Sequence, residues 1–154
     1  MKTHMIRPAT LNDLPVLSGY LQMLVNAERP FDVTLQEGDL IYYDLKELIE
    51  SENSELLVIE IDGRLVGCGY AQIRAAKSYL KHKEYAHLGF MFVHPEFRGR
   101  GLNQQLIEGL KDWVRSKGLR EVRLQVYTEN IAAVKAYEKA GFKQIMTEMR
   151  YELN

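Results

Sequence analysis

The sequence of 154 residues has one cysteine, Cys68, so no disulfide can form within the chain. No apolar run comes near the roughly 18 residues that cross a membrane. The opening "MKTHMIRPAT" lacks the apolar stretch of a secretion signal. A cytoplasmic location and no membrane partner are therefore expected. An excess of one charge is also missing. The net charge is −1, which excludes the global field of a nucleic-acid binder. The four histidines, His4, His82, His87 and His94, show no ligand spacing, so no metal is expected. Cys68 lies in "LVGCGYAQI", a strand-like run where a small buried residue is a better reading than a nucleophile.

What is present reads as one globular domain over residues 1–154, with 46% hydrophobic and 27% charged residues. "HMIRPA" reads as a short strand ended by Pro8. A helix follows, with Leu14, Leu17, Leu21, Leu24 and Val25 at helical spacing, Asn12 as its cap and Pro15 in its first turn. Residues 28–40 read as a loop. Ile41, Leu45, Leu48 and Ile49 resume the helical period. Two β-rich runs flank Asp62-Gly63, a strong hairpin turn. "AHLGFMFV" is an apolar strand. "LNQQLIEGLKDWVRSKG" is a helix with Leu106, Ile107, Leu110, Trp113 and Val114 on one face, ended by Gly118. "EVRLQVYT" alternates as a strand. "NIAAVKAYEKAGF" is a short helix capped by Asn130, with Gly141 left-handed at its end. "KQIMTEMRYEL" closes the chain as one or two strands. The order β-α-α-β-β-β-α-β-α-β gives an α/β chain with a mixed sheet and helices on its faces.

Charge is unevenly spread. Residues 28–60 hold ten acids against two bases, net −8; residues 98–123 hold seven bases against three acids, net +4. Two solvated helix faces explain this. So do an anionic ligand near the second segment and a cationic one near the first. The second segment opens with "FRGRG" at a strand-to-helix junction. The first four N–H groups of a helix have no internal partner and carry partial positive charge. Glycine lets the backbone turn tightly, and Arg98 and Arg100 add charge, which together make an anion cradle. A basic helix cap with no ligand explains the same residues. The G-x-x-x-x-G-K-[ST] loop of nucleoside triphosphate binders is absent, and Gln104 spoils a dinucleotide fingerprint.

Two longer motifs, "VHPEFRGRGL" and "NIAAVKAYEKAGF", follow in order with a helix and a strand between them. Together they resemble the GCN5-related N-acetyltransferase (GNAT) family, a likeness running from "IRPAT" to the final strand. The resemblance implies an acyl-CoA N-acyltransferase fold that binds acetyl-CoA and transfers the acetyl group to a primary amine by direct attack. It places the CoA pyrophosphate on Arg98, Gly99, Arg100, Gly101, Leu102 and Asn103, where Asn103 departs from the family's Gly or Ala. It assigns Met91, Phe92 and Val93 to pantetheine and the thioester, with a backbone N–H near Met91 for the oxyanion. Asn130 becomes a CoA contact and Tyr137 the general acid that protonates the departing thiolate. A homodimer is also compatible with it.

The base is not given by position. Gly89 and Gln125 stand where the family often has an acid. His87, placed by period-two counting on the face of Gly89 and Met91, has a natural pKa that suits a base. Glu28 and Asp32, in the segment that lines the acceptor site in the family, suit binding of the cationic amine or relay of its proton through water, and Tyr79 and Tyr85 suit the walls of the acceptor pocket. His94 reads as structural. A non-catalytic acyl-CoA-binding or sensor domain on the same fold is the alternative, motivated by the missing glutamate. A generic nucleotide-phosphate binder is a third reading.

Overall fold

The computed structural model describes residues 4–154. Strand β1, His4–Pro8, precedes helix α1, Leu14–Glu28, and short helix α2, Leu45–Glu50. Strands β2, Ser54–Ile61, β3, Arg64–Ala75, and β4, Glu84–Val93, follow as a meander. Helix α3, Leu102–Ser116, strand β5, Val122–Leu124, and helix α4, Ile131–Lys139, complete the regular elements. The sheet order is β1-β2-β3-β4-β5, antiparallel throughout except for the parallel β4–β5 pair. This is the mixed sheet read from the sequence.

Local chemistry explains most element boundaries. Asp62 and Gly63 both have positive φ, 51° and 82°, as a two-residue hairpin with right-handed strand twist requires. Pro15 sits in the first turn of α1, where no N–H is needed. The residue before α1 is Asp13 and not the expected Asn12, which lies in a 3-10 turn over Leu11–Asp13. Asp13 is held there by Arg7, whose two terminal nitrogens reach its carboxylate at 2.9 and 3.0 Å. The second helix is shorter than its apolar period suggests. Asp44 caps it by accepting from Glu47 N, and Ile41 stays outside it, 86% exposed.

Two apolar layers sandwich the sheet. One packs α1 and α2 against Val58, Cys68, Tyr70, Phe90 and Phe92. The other packs α3, through Leu106, Leu110 and Val114, against Leu57, Ile59, Val66, Ala86 and Leu88. Cys68 is fully buried in the first layer, and burial pushes its thiol pKa up.

The closing strand is not formed. Residues 142–154 adopt no strand, and Ile145, Met149, Tyr151 and Leu153 are exposed. Their alternation suits a strand, but a strand needs a hydrogen-bonded neighbour, and β5 offers only three paired residues on its inner side. The "EVRLQVYT" strand is likewise reduced to Val122–Leu124.

Candidate active site

The site begins with a fault in β4. Cys68 pairs with Phe92 and Tyr70 with Gly89, so the single residue Gly69 opposes Phe90 and Met91 together. Phe90 takes φ = 52° to absorb the extra residue, which is a β-bulge. A bulge inverts the alternation of side chains. Ala86 and Leu88 face α3, but beyond the bulge it is Met91 and Val93 that do so, while Phe90 and Phe92 join the α1–α2 layer. His87 and Gly89 therefore lie on the opposite face from Met91. This corrects the period-two count, which holds only for an unbroken strand.

The same bulge ends the pairing with β5. That ladder runs Ala86–Val122, His87–Arg123 and Leu88–Leu124 and stops there. From Gly89 onward β4 has no strand on that side, and the two strands diverge. The gap opens into a cleft of about 1930 Å³. Gly89, Phe90, Met91, Gln125, Val134, Tyr137 and the tail residues line it, with Glu28, Asp32, Tyr42, Tyr85 and His87.

At the far end of β4 the chain turns through His94, whose Nδ1 accepts from Glu96 N at 3.2 Å, a structural role. Gly99 and Gly101 both adopt left-handed φ, 78° and 76°, and Gly101 caps α3. No acid occupies the first turn of α3 and no side chain caps it, so its N–H groups stay free. Arg98 Nε donates to Val93 O at 3.0 Å, which ties the loop to β4. The Arg100 guanidinium lies 4.9 Å from the Phe97 ring centre. Leu102 is buried, 3% exposed, so its backbone alone faces the loop. Asn103 is half-buried at the second position of the helix. Gly-Arg-Gly at a bare helix start is chemically fit for a pyrophosphate.

Across the cleft, α4 is capped as expected. Asn130 Oδ1 accepts from Ala133 N at 3.3 Å. Gly141 has φ = 99°, Gly141 N reaches Glu138 O, and Phe142 N reaches Tyr137 O at 3.0 Å, a complete left-handed cap. Tyr137 packs edge-on against Phe142, 5.9 Å between ring centres. Burial, with the negative charge of Glu28 adding to it, raises its pKa to about 12. The phenol therefore keeps its proton at neutral pH.

The cleft collects fewer acids than the −8 segment contains. Asp44 caps α2 and Glu60 pairs with Arg7 at 3.1 Å. Glu28 and Asp32 alone of the ten line the large cleft. Asp32 accepts from Thr34 N and Oγ1, from Tyr127 OH at 3.2 Å, and from Arg150 at 3.2 Å. The Thr34 contacts, helped by Arg150, hold its pKa down to about 2. His87 is pressed against Tyr70, and burial with the nearby Arg74 lowers its pKa to about 4. It is neutral at pH 7 but far less basic than a free imidazole. Tyr85 lines the cleft, under the Arg123 guanidinium at 5.3 Å. Tyr79 does not line it. It is 76% exposed in the loop after β3, beside Lys77.

Four tyrosines that line the cleft outside the tail were not singled out in the sequence. Tyr127 stacks on Phe31, 6.1 Å away at 21°. Tyr42 and Tyr43 line the cleft, and Tyr70 blocks Gly89, since a Cβ there would overlap its hydroxyl. Nine tyrosines in 154 residues was the available signal, with no local spacing to order them.

Solved structures share this fold. An aminoglycoside N-acetyltransferase of the 6′ type in complex with CoA superposes with a TM-score of 0.80 at 23% identity, over 99% of this chain and 96% of that one. The acetyltransferase (GNAT) family pattern matches residues 21–142, and the chain belongs to that family. An uncharacterized N-acetyltransferase of Methanocaldococcus jannaschii is 30% identical over 148 residues, covering 94% of this chain and 62% of that protein. An aminoglycoside N(6′)-acetyltransferase type 1 of Stenotrophomonas maltophilia is 28% identical over 102 residues, covering 64% of this chain and 65% of that protein. The chain thus spans less than two thirds of the length of these two relatives.

Proposed function

We propose that residues 1–154 form a single N-acetyltransferase domain that moves the acetyl group of acetyl-CoA to a primary amine. The amine attacks the thioester directly, without an acyl-enzyme. The observation that carries this reading is the bulged, half-unpaired β4 running into a left-handed glycine loop at a bare helix start, with Tyr137 facing it across the cleft. In this reading Arg98, Gly99, Arg100, Gly101, Leu102 and Asn103 receive the pyrophosphate. The β4 backbone at Met91, Phe92 and Val93 receives pantetheine and the thioester. Asn130, with its amide nitrogen still available, borders the CoA chain. Tyr137 supplies the proton to the leaving thiolate. Tyr85 and the acids at the end of α1 form the acceptor wall.

The type of acceptor is suggested by the relatives, several of which are aminoglycoside N-acetyltransferases. Aminoglycosides carry several ammonium groups, which suits a cleft with Glu28 and Asp32. A non-catalytic acyl-CoA sensor needs no proton donor, so Tyr137 facing the cleft favours the enzyme. A homodimer fits the structure as well. The tail carries an alternating apolar sequence that forms no strand, and among the described residues β5 has an unpaired outer edge. A reducing cytoplasm suits the lone buried thiol of Cys68.

The test follows CoA release from acetyl-CoA with a panel of amines, aminoglycosides included, with Tyr137→Phe as control. Turnover that depends on Tyr137 supports the reading. Tight acetyl-CoA binding without turnover of any amine supports the sensor. Light scattering of the purified chain reads its association state.

A further inference from the structure

We propose that Glu28 is the catalytic base: its carboxylate takes the proton of the acceptor ammonium, with the Tyr42 hydroxyl holding the carboxylate in place. This rests on the N-acetyltransferase reading above and names the group which that reading leaves open.

The strand position for a base is physically closed. A side chain at residue 89 would run into the Tyr70 hydroxyl and ring. An acid cannot reach the cleft from there while Tyr70 fills the space. Gln125 has no useful basicity. His87, buried beside Arg74, is held neutral by an environment that also strips it of basicity. The proton must then leave toward another element.

Five carboxylates line the cleft: Glu28, Asp32, Glu121, Glu138 and Glu148. Asp32 already accepts from Thr34, Tyr127 and Arg150, contacts that favour its charged form and leave its basicity low. Glu121 pairs with Arg123 at 3.4 Å, and with His82 at 3.8 Å, at the start of β5. Glu138 and Glu148 are exposed on α4 and the tail. Glu28 differs from all four. It ends α1, is half-buried, and makes no ion pair among the described residues. Burial raises its pKa, which is what a proton acceptor working near neutral pH needs.

An orphaned polar atom stands beside it. The Tyr42 hydroxyl is buried and has no partner within hydrogen-bonding geometry among the described residues. Burial and then the Glu28 charge raise its pKa to about 12, so it stays protonated and can only donate to a carboxylate. An unpaired buried hydroxyl is costly, and a small shift toward Glu28 or a bound amine relieves it.

The proton balance is complete. The ammonium gives one proton to Glu28, and the freed nitrogen lone pair attacks the thioester carbon. The tetrahedral adduct collapses with loss of its C–S bond. The thiolate takes the Tyr137 proton, and the amide nitrogen's second proton restores Tyr137. Glu28 later releases its proton to water, leaving acetamide, CoA thiol and one proton in solution. The two ends are coupled. The Glu28 charge helps to raise the Tyr137 pKa, so neutralising Glu28 makes Tyr137 a stronger acid when the thiolate leaves.

The experiment compares wild type, Glu28→Gln, Glu28→Asp, Glu28→Ala and Tyr42→Phe by CoA release with spermidine, glycinamide and kanamycin as acceptors. Glu28→Gln is expected to lower kcat about 10²–10³-fold on whichever amine the wild type uses. It should abolish the acidic limb of the kcat/KM–pH profile and leave acetyl-CoA Kd within about twofold. Glu28→Asp should keep the limb and recover part of kcat. Tyr42→Phe should move the limb to higher pH, because it removes a donor that favours the carboxylate. Formate should restore activity to Glu28→Ala, a rescue that a folding defect would not show. A Glu28→Gln loss confined to KM, or a kcat within about threefold of wild type, overturns the proposal while the acetyltransferase reading stands. A wild type that binds acetyl-CoA and acetylates none of the amines overturns both.

Discussion

Helices α3 and α4 both contribute to the cleft wall, yet they are held in opposite ways. Helix α3 buries Leu102, Leu106, Ile107, Leu110 and Val114, while α4 buries no residue fully. Helix α4 is tied instead by side chains reaching from α3. Gln104 donates to Ala136 O and Lys111 to Ala140 O, both at 3.1 Å, and the Lys111 ammonium lies 5.7 Å from the Phe142 ring centre. The anion cradle is thus set on a rigid, close-packed element. The proposed acid stands on one that buries no residue fully. Binding of the cofactor phosphates needs fixed N–H groups, whereas a residue that meets two different substrates tolerates some play.

The largest effect is expected at Tyr137. Tyr137→Phe should cut turnover roughly 10²–10⁴-fold while acetyl-CoA affinity stays nearly constant, read by CoA release and calorimetry. An equal loss of affinity would show that α4 moves as a unit with the cradle. A stability pair sharpens the contrast next. Leu106→Ala in α3 should cost about 2–5 kcal/mol, and Val134→Ala in α4 about 0.5 kcal/mol, in urea melts. Similar costs would mean that α4 packs as tightly as α3. Gly99→Ala forces a side chain into a left-handed position and should cost about 1 kcal/mol, with weaker acetyl-CoA binding. Asn103→Gly should leave affinity the same or tighter. A large loss there would make Asn103 a ligand contact.

The packed side of the molecule was also the legible one. The Asp62-Gly63 turn, the α3 face, Gly118 and Gly141 each declare themselves through residues within a few positions, because turns and caps are local. The bulge at Phe90 was not legible. Its cause is a two-against-one pairing with Gly69, and its effect is to reverse every face assignment after it. The final strand failed for a related reason. Alternation can show that a segment suits a sheet, but it does not say which edge is free to receive it. On the cleft wall, Tyr127 meets Asp32 across 95 residues of chain, and no short-range pattern encodes that contact. The signature loop and the Tyr137 helix were readable as motifs. The crowding of Gly89 by Tyr70 was not, since it depends on β3 and β4 in register.

That crowding also orders how this sequence can change. An acid at position 89 is excluded while Tyr70 is present, so Gly89→Glu on its own should damage the fold and bring no new chemistry. Shrinking Tyr70 first would open the space and make the same replacement tolerable. The two positions are therefore epistatic: the order in which they mutate decides whether the intermediate survives. A descendant with a strand-borne glutamate would have to pass through a small residue at position 70.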